Sequence, residues 1–315
     1  MRYIILLTLL PSLSFAQPNG QWDDEKIEVK SGEENHEIIS AEQLHKEGWT
    51  DLNHPQLWKQ VMLLSPDSCI INIAATRTII ERKSNADWHS QTEEEKEAYR
   101  DSIRKLHDLE EDARIYVTTG KNDFYKFETV YPSLSTGVEV FELHGVDPWY
   151  AQSILLIESP GQMKKSRAGA YGPFQLMPGV ARAQGLVVNR YKDERSNFER
   201  SAYGAANLIK TICIPEAKRI LDSHGLKYDE SDTWFRLFVL HVYHAGSLNV
   251  KAVVDKINPE VGGQSLIQSM WVTSAAKFGN NSQNYSQLAL AAHLLLDELV
   301  HNEWEHDYIL ECNID

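Results

Sequence analysis

From Asp147 to Val300 the chain repeats one pattern, apolar residues recurring at steps of three and four, with no series of strictly alternating residues that would mark strands. The segments that carry it run from Asp147 to Ser159, Glu199 to Ile212, Glu216 to His224, Ser231 to Tyr243, Leu248 to Ile257 and Tyr285 to Val300. A helix with one apolar face must bury that face against other elements, and here the neighbours are helices too. This half therefore predicts an all-helical domain over residues 145–315, without an internal repeat.

The preceding region reads differently. Residues 17–42 are acidic and poor in aliphatics, with Asp23-Asp24-Glu25-Lys26 and Gly32-Glu33-Glu34-Asn35, and predict a flexible arm. Residues 43–144 predict a mixed, mostly helical unit of unknown role. Leu57, Val61 and Leu64 share a helix face before Pro66-Asp67-Ser68 breaks the run. Cys69 to Ala75 is ambiguous between strand and buried helix. Thr92-Glu93-Glu94-Glu95 matches a capping box, and Tyr99, Ile103, Leu106 and Leu109 extend the helix to about Ala113. Ile115 to Gly120 closes that unit; the aromatics Phe124, Tyr125, Phe127 and Tyr131, core by their spacing, lead into a helix over Leu134 to His144.

Met1 to Ala16 carries Arg2, an apolar run from Ile4 to Leu10 and a small-residue end, the signature of a secretory signal peptide with the mature chain starting at Gln17. No later apolar run approaches the roughly 20 residues of a membrane helix. The expected location is outside the cytoplasm, periplasmic or secreted. A net charge of -14 without a Lys/Arg stripe argues against nucleic acid as partner. Three cysteines, Cys69, Cys213 and Cys312, in an oxidising compartment suggest one disulfide and a spare thiol. The pairing is open, with Cys69 and Cys213 favoured because Cys312 lies in a terminal tail.

Asp147-Pro148 is a strong helix start, aspartate at the cap and proline at the first helical position. Four and seven residues before Glu158 stand Ile154 and Ala151, so this carboxyl hangs off the apolar face, and Pro160-Gly161 ends the helix just beyond it. Burial and the negative end of the helix dipole both favour a protonated carboxyl, suited to donate a proton. The bland alternative is a glutamate snorkelling out of the face.

A stretch a few residues further along tips the balance: Ser166-Arg167-Ala168-Gly169-Ala170-Tyr171-Gly172-Pro173-Phe174-Gln175-Leu176-Met177-Pro178, small residues that let backbone approach a ligand, then medium apolar ones. With Glu158-Ser159, with Val242-Tyr243-His244-Ala245-Gly246 and, more loosely, with Asn281-Ser282-Gln283-Asn284-Tyr285, this order resembles the soluble lytic transglycosylases, relatives in fold of goose-type lysozyme. The resemblance covers about Gly145 to Leu295. Residues 17–144 do not share in it.

The resemblance implies a lysozyme-like catalytic domain that cleaves peptidoglycan glycan strands without cofactor or metal. It gives Glu158 the role of single acid and base: it protonates the oxygen between N-acetylmuramic acid and N-acetylglucosamine, then takes a proton from the primary hydroxyl that closes a 1,6-anhydro ring. It implies substrate-binding roles for Ser166, Phe174 through its backbone, Gln175, Tyr243 and Tyr285, while Met177 reads equally as cleft wall or core. Pro173-Phe174, His244 and Asn281 depart from the pattern; Asn281 stands where the family often has a glutamate, which puts fine tuning of the site in doubt.

Glycoside hydrolysis ordinarily employs two carboxyl groups. A goose-lysozyme-type hydrolase is the runner-up, with Asp193 or Glu194 as the second; a wall-binding module that has lost activity is the third reading. His241 and His244 lack a third metal ligand by spacing, and His301 to His306 does not form a zincin pattern. No nucleophile elbow accompanies Ser159, and Gly262-Gly263 is a turn, not a nucleotide loop.

Overall fold

The computed structural model describes residues 22, 24–31, 33–120, 130–158, 165–166 and 168–312, with side chains as far as residue 301. Residues 1–16, read as a signal peptide, lie outside the described residues, as do Phe124, Tyr125, Phe127 and the helix-ending Pro160-Gly161. The protein is mainly helical, with two small antiparallel sheets.

A hairpin opens the fold, β1 (Lys26–Ser31) pairing with β2 (Glu34–Ile39) from Lys26 opposite Ile39 to Ser31 opposite Glu34. For these residues the expectation of a flexible arm is overturned. Every second position faces inward, so Val29, His36 and Ile38 are buried while the charged residues form the outer face. Averaged over both faces, the hairpin reads as acidic and aliphatic-poor.

The short α1 (Glu42–Lys46), a 3-10 turn over Trp49–Asp51 and α2 (Asn53–Met62) lead to a three-stranded sheet. Its order is β4 (Ile79–Ser84), β3 (Ser68–Ile73), β5 (Ile115–Thr119). The central strand β3 resolves the ambiguity at Cys69 to Ala75. It is buried on both faces: Cys69, Ile71 and Ile73 pack with Trp88, Ile103 and Ile115, and Ile70 packs with Leu57, Val61 and Leu64 of the α2 side. A strand covered on both sides loses alternation and resembles a buried helix in sequence.

Between β4 and β5 lie α3 (Asn85–Ser90) and α4 (Glu93–Leu106). The capping box at Thr92 and Glu95 is present. The helix stops before Ala113 because Asp108 takes a left-handed backbone, φ 50°.

The rest is helical: α5 (Tyr131–Leu143), α6 (Pro148–Glu158), α7 (Pro178–Ala183), α8 (Phe198–Leu208), α9 (Ile214–Ser223), α10 (Thr233–Ala245), α11 (Ser247–Ile257), α12 (Gln264–Val272) and α13 (Asn280–Cys312). A π-helical turn, Ile209–Cys213, joins α8 to α9, so two expected helices form one continuous rod. No described helix is long and apolar enough to cross a membrane.

One core joins Val29 and Ile38 of the hairpin, Leu134 and Phe141 of α5, and the helices from α6 onward. The expected boundary at residue 145 is therefore not a break in packing. Tyr131 belongs to this core. The Cys69–Cys213 pairing is also overturned: both thiols are free and buried, Cys69 inside the three-stranded sheet's cluster and Cys213 in the main core.

Candidate active site

Glu158 is the last residue of α6, a helix whose residues from Pro148 to Leu156 are all buried. Three contacts hold that helix. At its start the Asp147 carboxylate accepts from the Trp149 amide (2.9 Å) and pairs with Arg236 of α10 (2.7 Å), which also pairs with Asp24. In the middle, the Gln152 side chain mimics a strand: its Oε1 accepts from the Ile39 amide and its Nε2 donates to the Ile39 carbonyl, both at 2.8 Å. Beside it the Ser153 hydroxyl meets Nε2 of His293 at 2.8 Å, and that imidazole stacks on Trp149. The hairpin read as a loose arm thus braces the helix that carries the candidate acid.

Glu158 as a whole residue is half-buried. Burial raises its pKa from an ordinary 4.5 to about 6, and the Tyr285 hydroxyl beside it draws it partly back. Tyr285 is itself buried, and the His244 ring lies over it at 4.2 Å between centroids. Burial first, and then the charge of Glu158, lift the Tyr285 and Tyr243 hydroxyls well above the usual phenol range. Both therefore stay protonated and can donate. The Tyr243 hydroxyl does so to the Phe174 carbonyl at 2.6 Å.

That bond ties α10 to the loop whose motif stands out in the sequence. Lys165, Tyr171 and Leu176 form isolated antiparallel bridges, giving the loop a small sheet-like fold. Gly172 sits at its tightest point, with φ 84° and a position where a Cβ would stand 2.0 Å from the Arg195 carbonyl oxygen. Arg195 is buried and holds the loop from within: Nη1 donates to the Gly169 and Leu176 carbonyls at 2.9 and 2.8 Å, and the guanidinium lies over the Tyr171 ring. Asp193 neutralises it through two bonds, 2.8 and 2.6 Å. Nothing in the sequence motifs marks Arg195, because its partners are backbone carbonyls that any residue could supply.

The other candidates divide. The Phe174 side chain is fully buried, stacked on Phe141 and edge-on to Phe198, and its carbonyl accepts from Tyr243, so its ring builds the wall and any part it takes at a ligand is left to its backbone. Gln175 adopts a left-handed backbone, φ 45°, and its Nε2 donates to the Gly172 carbonyl at 2.8 Å, closing its own turn. The exposed Ser166 accepts from the Ala170 amide at 3.0 Å, which shapes the loop. Met177 is 41 % exposed at the start of α7, a surface side chain and not a core one. Tyr243 and Tyr285 are the two that share an electrostatic environment with Glu158. Asn281, at the departed position, is exposed.

Neither carboxylate named for a second role is available for it. Asp193 is committed to Arg195, and Glu194 accepts from the Val187 amide and pairs with Lys192 and Arg200, which holds its pKa down to about 2. Neither enters the balance that sets Glu158. His241 bonds through Nε2 to the Ser286 hydroxyl at 2.9 Å, itself the acceptor for Trp271, so it belongs to a buried structural chain. No family model matches this chain, and no curated protein matches it.

Proposed function

We propose that this protein is a lytic transglycosylase of the bacterial envelope, a lysozyme-like helical domain that cleaves peptidoglycan glycan strands with Glu158 as acid and base. The observation that carries the reading is a carboxyl at the end of a buried apolar helix, its pKa raised to about 6 by burial, with Tyr285 and Tyr243 beside it and Tyr243 bonded to the loop of the Gly172 to Pro178 motif. Supporting it, Asp193 and Glu194 are each locked to basic partners, which disfavours the two-carboxylate arrangement of ordinary glycoside hydrolysis.

In this reading the protonated Glu158 gives its proton to the glycosidic oxygen as the bond to the muramic acid C1 breaks. Tyr285, kept protonated by its surroundings, steadies the carboxylate left behind. The carboxylate then removes the proton from the C6 hydroxyl as that oxygen bonds to C1, which regenerates the acid and consumes no water. Tyr243 acts one step away, fixing the loop backbone at Phe174 against which the neighbouring sugar would lie.

Digestion of purified sacculi, with products identified by mass, tests the proposal, Glu158→Gln serving as the inactive control. Muropeptides ending in 1,6-anhydro-N-acetylmuramic acid, one water lighter than the hydrolytic product, are the expected result. Mainly reducing ends would transfer the site to the hydrolases, and no release at all would leave a wall-binding module.

A further inference from the structure

Outside the residues that resemble the transglycosylases, one buried charge reaches toward the site. Arg77 occupies the turn between β3 and β4, with a left-handed backbone at φ 57°, and is only 5 % exposed. It meets no carboxylate among the described residues. Its Nη2 donates to Oδ1 of Asn284 at 2.8 Å, its Nε has no partner, and its guanidinium lies over the rings of Tyr116 (5.3 Å) and Trp58 (6.0 Å). Burying an arginine against dipoles and π faces alone is costly in stability, and an aliphatic side chain would fill the space more cheaply. A role in folding alone accounts poorly for it.

Its target is informative. Asn284 precedes Tyr285 on the second turn of α13, and consecutive helix residues point about 100° apart. A bond that fixes Asn284 therefore sets the rotation at which Tyr285 meets Glu158. Two further bonds act in the same place: Trp58 of α2 donates to Gln287 at 3.0 Å, and Trp271 of α12 donates to Ser286 at 2.7 Å. Of these, only the Arg77 bond is charge-assisted, and it comes from the sheet unit.

We infer that Arg77 is a positioning residue: through Asn284 it holds the start of α13 so that Tyr285 keeps its place beside Glu158, making the N-terminal sheet unit part of the catalytic assembly. The inference rests on the proposed role of Glu158. The titratable groups facing Glu158 are Tyr285 of α13 and Tyr243 of α10, and those facing Arg77 are His54 of α2 and Tyr116 of β5.

The test is the titration of the Glu158 carboxyl carbon by NMR in the full chain, assigned with Glu158→Gln. Tyr285→Phe, which removes the hydroxyl that favours the ionised form, should raise the midpoint by about 0.7 pH unit, the equivalent of one ordinary hydrogen bond. Arg77→Met and Asn284→Ala should each raise it in the same direction. Arg77→Lys should fall nearer the wild type, and adding Arg77→Met to Tyr285→Phe should give no further shift. If Arg77→Met does not fold, Asn284→Ala decides alone. Wild-type midpoints in folded Arg77→Met and Asn284→Ala would overturn the inference, as would additive shifts in the double variant or an unshifted Tyr285→Phe. Failure of the wild type to release muropeptides would defeat the proposed function and leave this titration as decisive as before.

Discussion

Replacing Glu158 by glutamine should make the protein more stable at neutral pH while abolishing its activity. The carboxyl titrates at about 6 in the folded protein against an ordinary 4.5, and burial is the larger cause. A folded value above the unfolded one means that the native state binds the proton more tightly. The stability this contributes is complete below pH 4.5 and is lost as pH rises through 6. The interval corresponds to about 2 kcal/mol at most. Glutamine keeps the shape and carries no charge, so above pH 6 it escapes that cost. A chain of this size should gain roughly 2–6 °C in Tm at pH 7.5, and the difference should close at pH 4, where both side chains are neutral. Thermal unfolding of the two proteins across that range, followed by circular dichroism, measures it. A Tm for Glu158→Gln equal to or below the wild type at pH 7.5, or a gap that does not depend on pH, would refute the argument that Glu158 is held in an environment hostile to its charge.

Other consequences are open to direct measurement. Because the reaction begins from the protonated acid, kcat/KM on soluble glycan fragments should be flat below about pH 6 and fall roughly tenfold per unit above it; a rate rising through pH 7 would mean that Glu158 acts first as a base. Gly172→Ala would drive a methyl into the Arg195 carbonyl at a left-handed φ, so a destabilisation of about 2–4 kcal/mol by denaturant titration is expected together with loss of activity. Arg195→Met would leave Asp193 and two loop carbonyls without their donor, costing roughly 3 kcal/mol, whereas a change near zero would show the loop to be held by its own turns.

Six helical segments in the second half were legible because the three-to-four spacing survives in the sequence, whereas α7 and α12 were not foreseen. The ends of α6 were legible too: Asp147 and Pro148 sign its start, and Glu158 falls where the apolar face runs out. So was the capping box at Thr92, which depends on residues three apart. The resemblance picked out Tyr243 and Tyr285 as neighbours of one carboxyl although 85 and 127 residues separate them from Glu158 along the chain.

Segments whose two faces must be told apart were misread at the hairpin and left open at β3. The hairpin at residues 26–39 offers one apolar face and one charged face, and its averaged composition imitates disorder. Strand β3 offers two apolar faces and imitates a helix. Phe174 sits inside a binding motif, yet its ring fills the core beside Phe141 and its carbonyl accepts from Tyr243, so only its backbone is left for the role the resemblance implies.

What local pattern determined about this protein is where helices start, which faces are apolar, and which carboxyl stands at the end of an apolar face. Tertiary structure alone decided what surrounds that carboxyl: that Tyr285 meets it, that Arg195 reaches the loop carbonyls from inside, that Asp193 and Glu194 are occupied, that Gln152 borrows the backbone of Ile39, and that Arg77 arrives from another unit to grip Asn284. The physical reason is that periodicity and capping involve residues within one or two turns, whereas desolvation and charge pairing depend on which distant segments close over a group. A buried arginine bonded to carbonyls or to an amide leaves no spacing rule behind it, since those partners are present wherever the chain folds past.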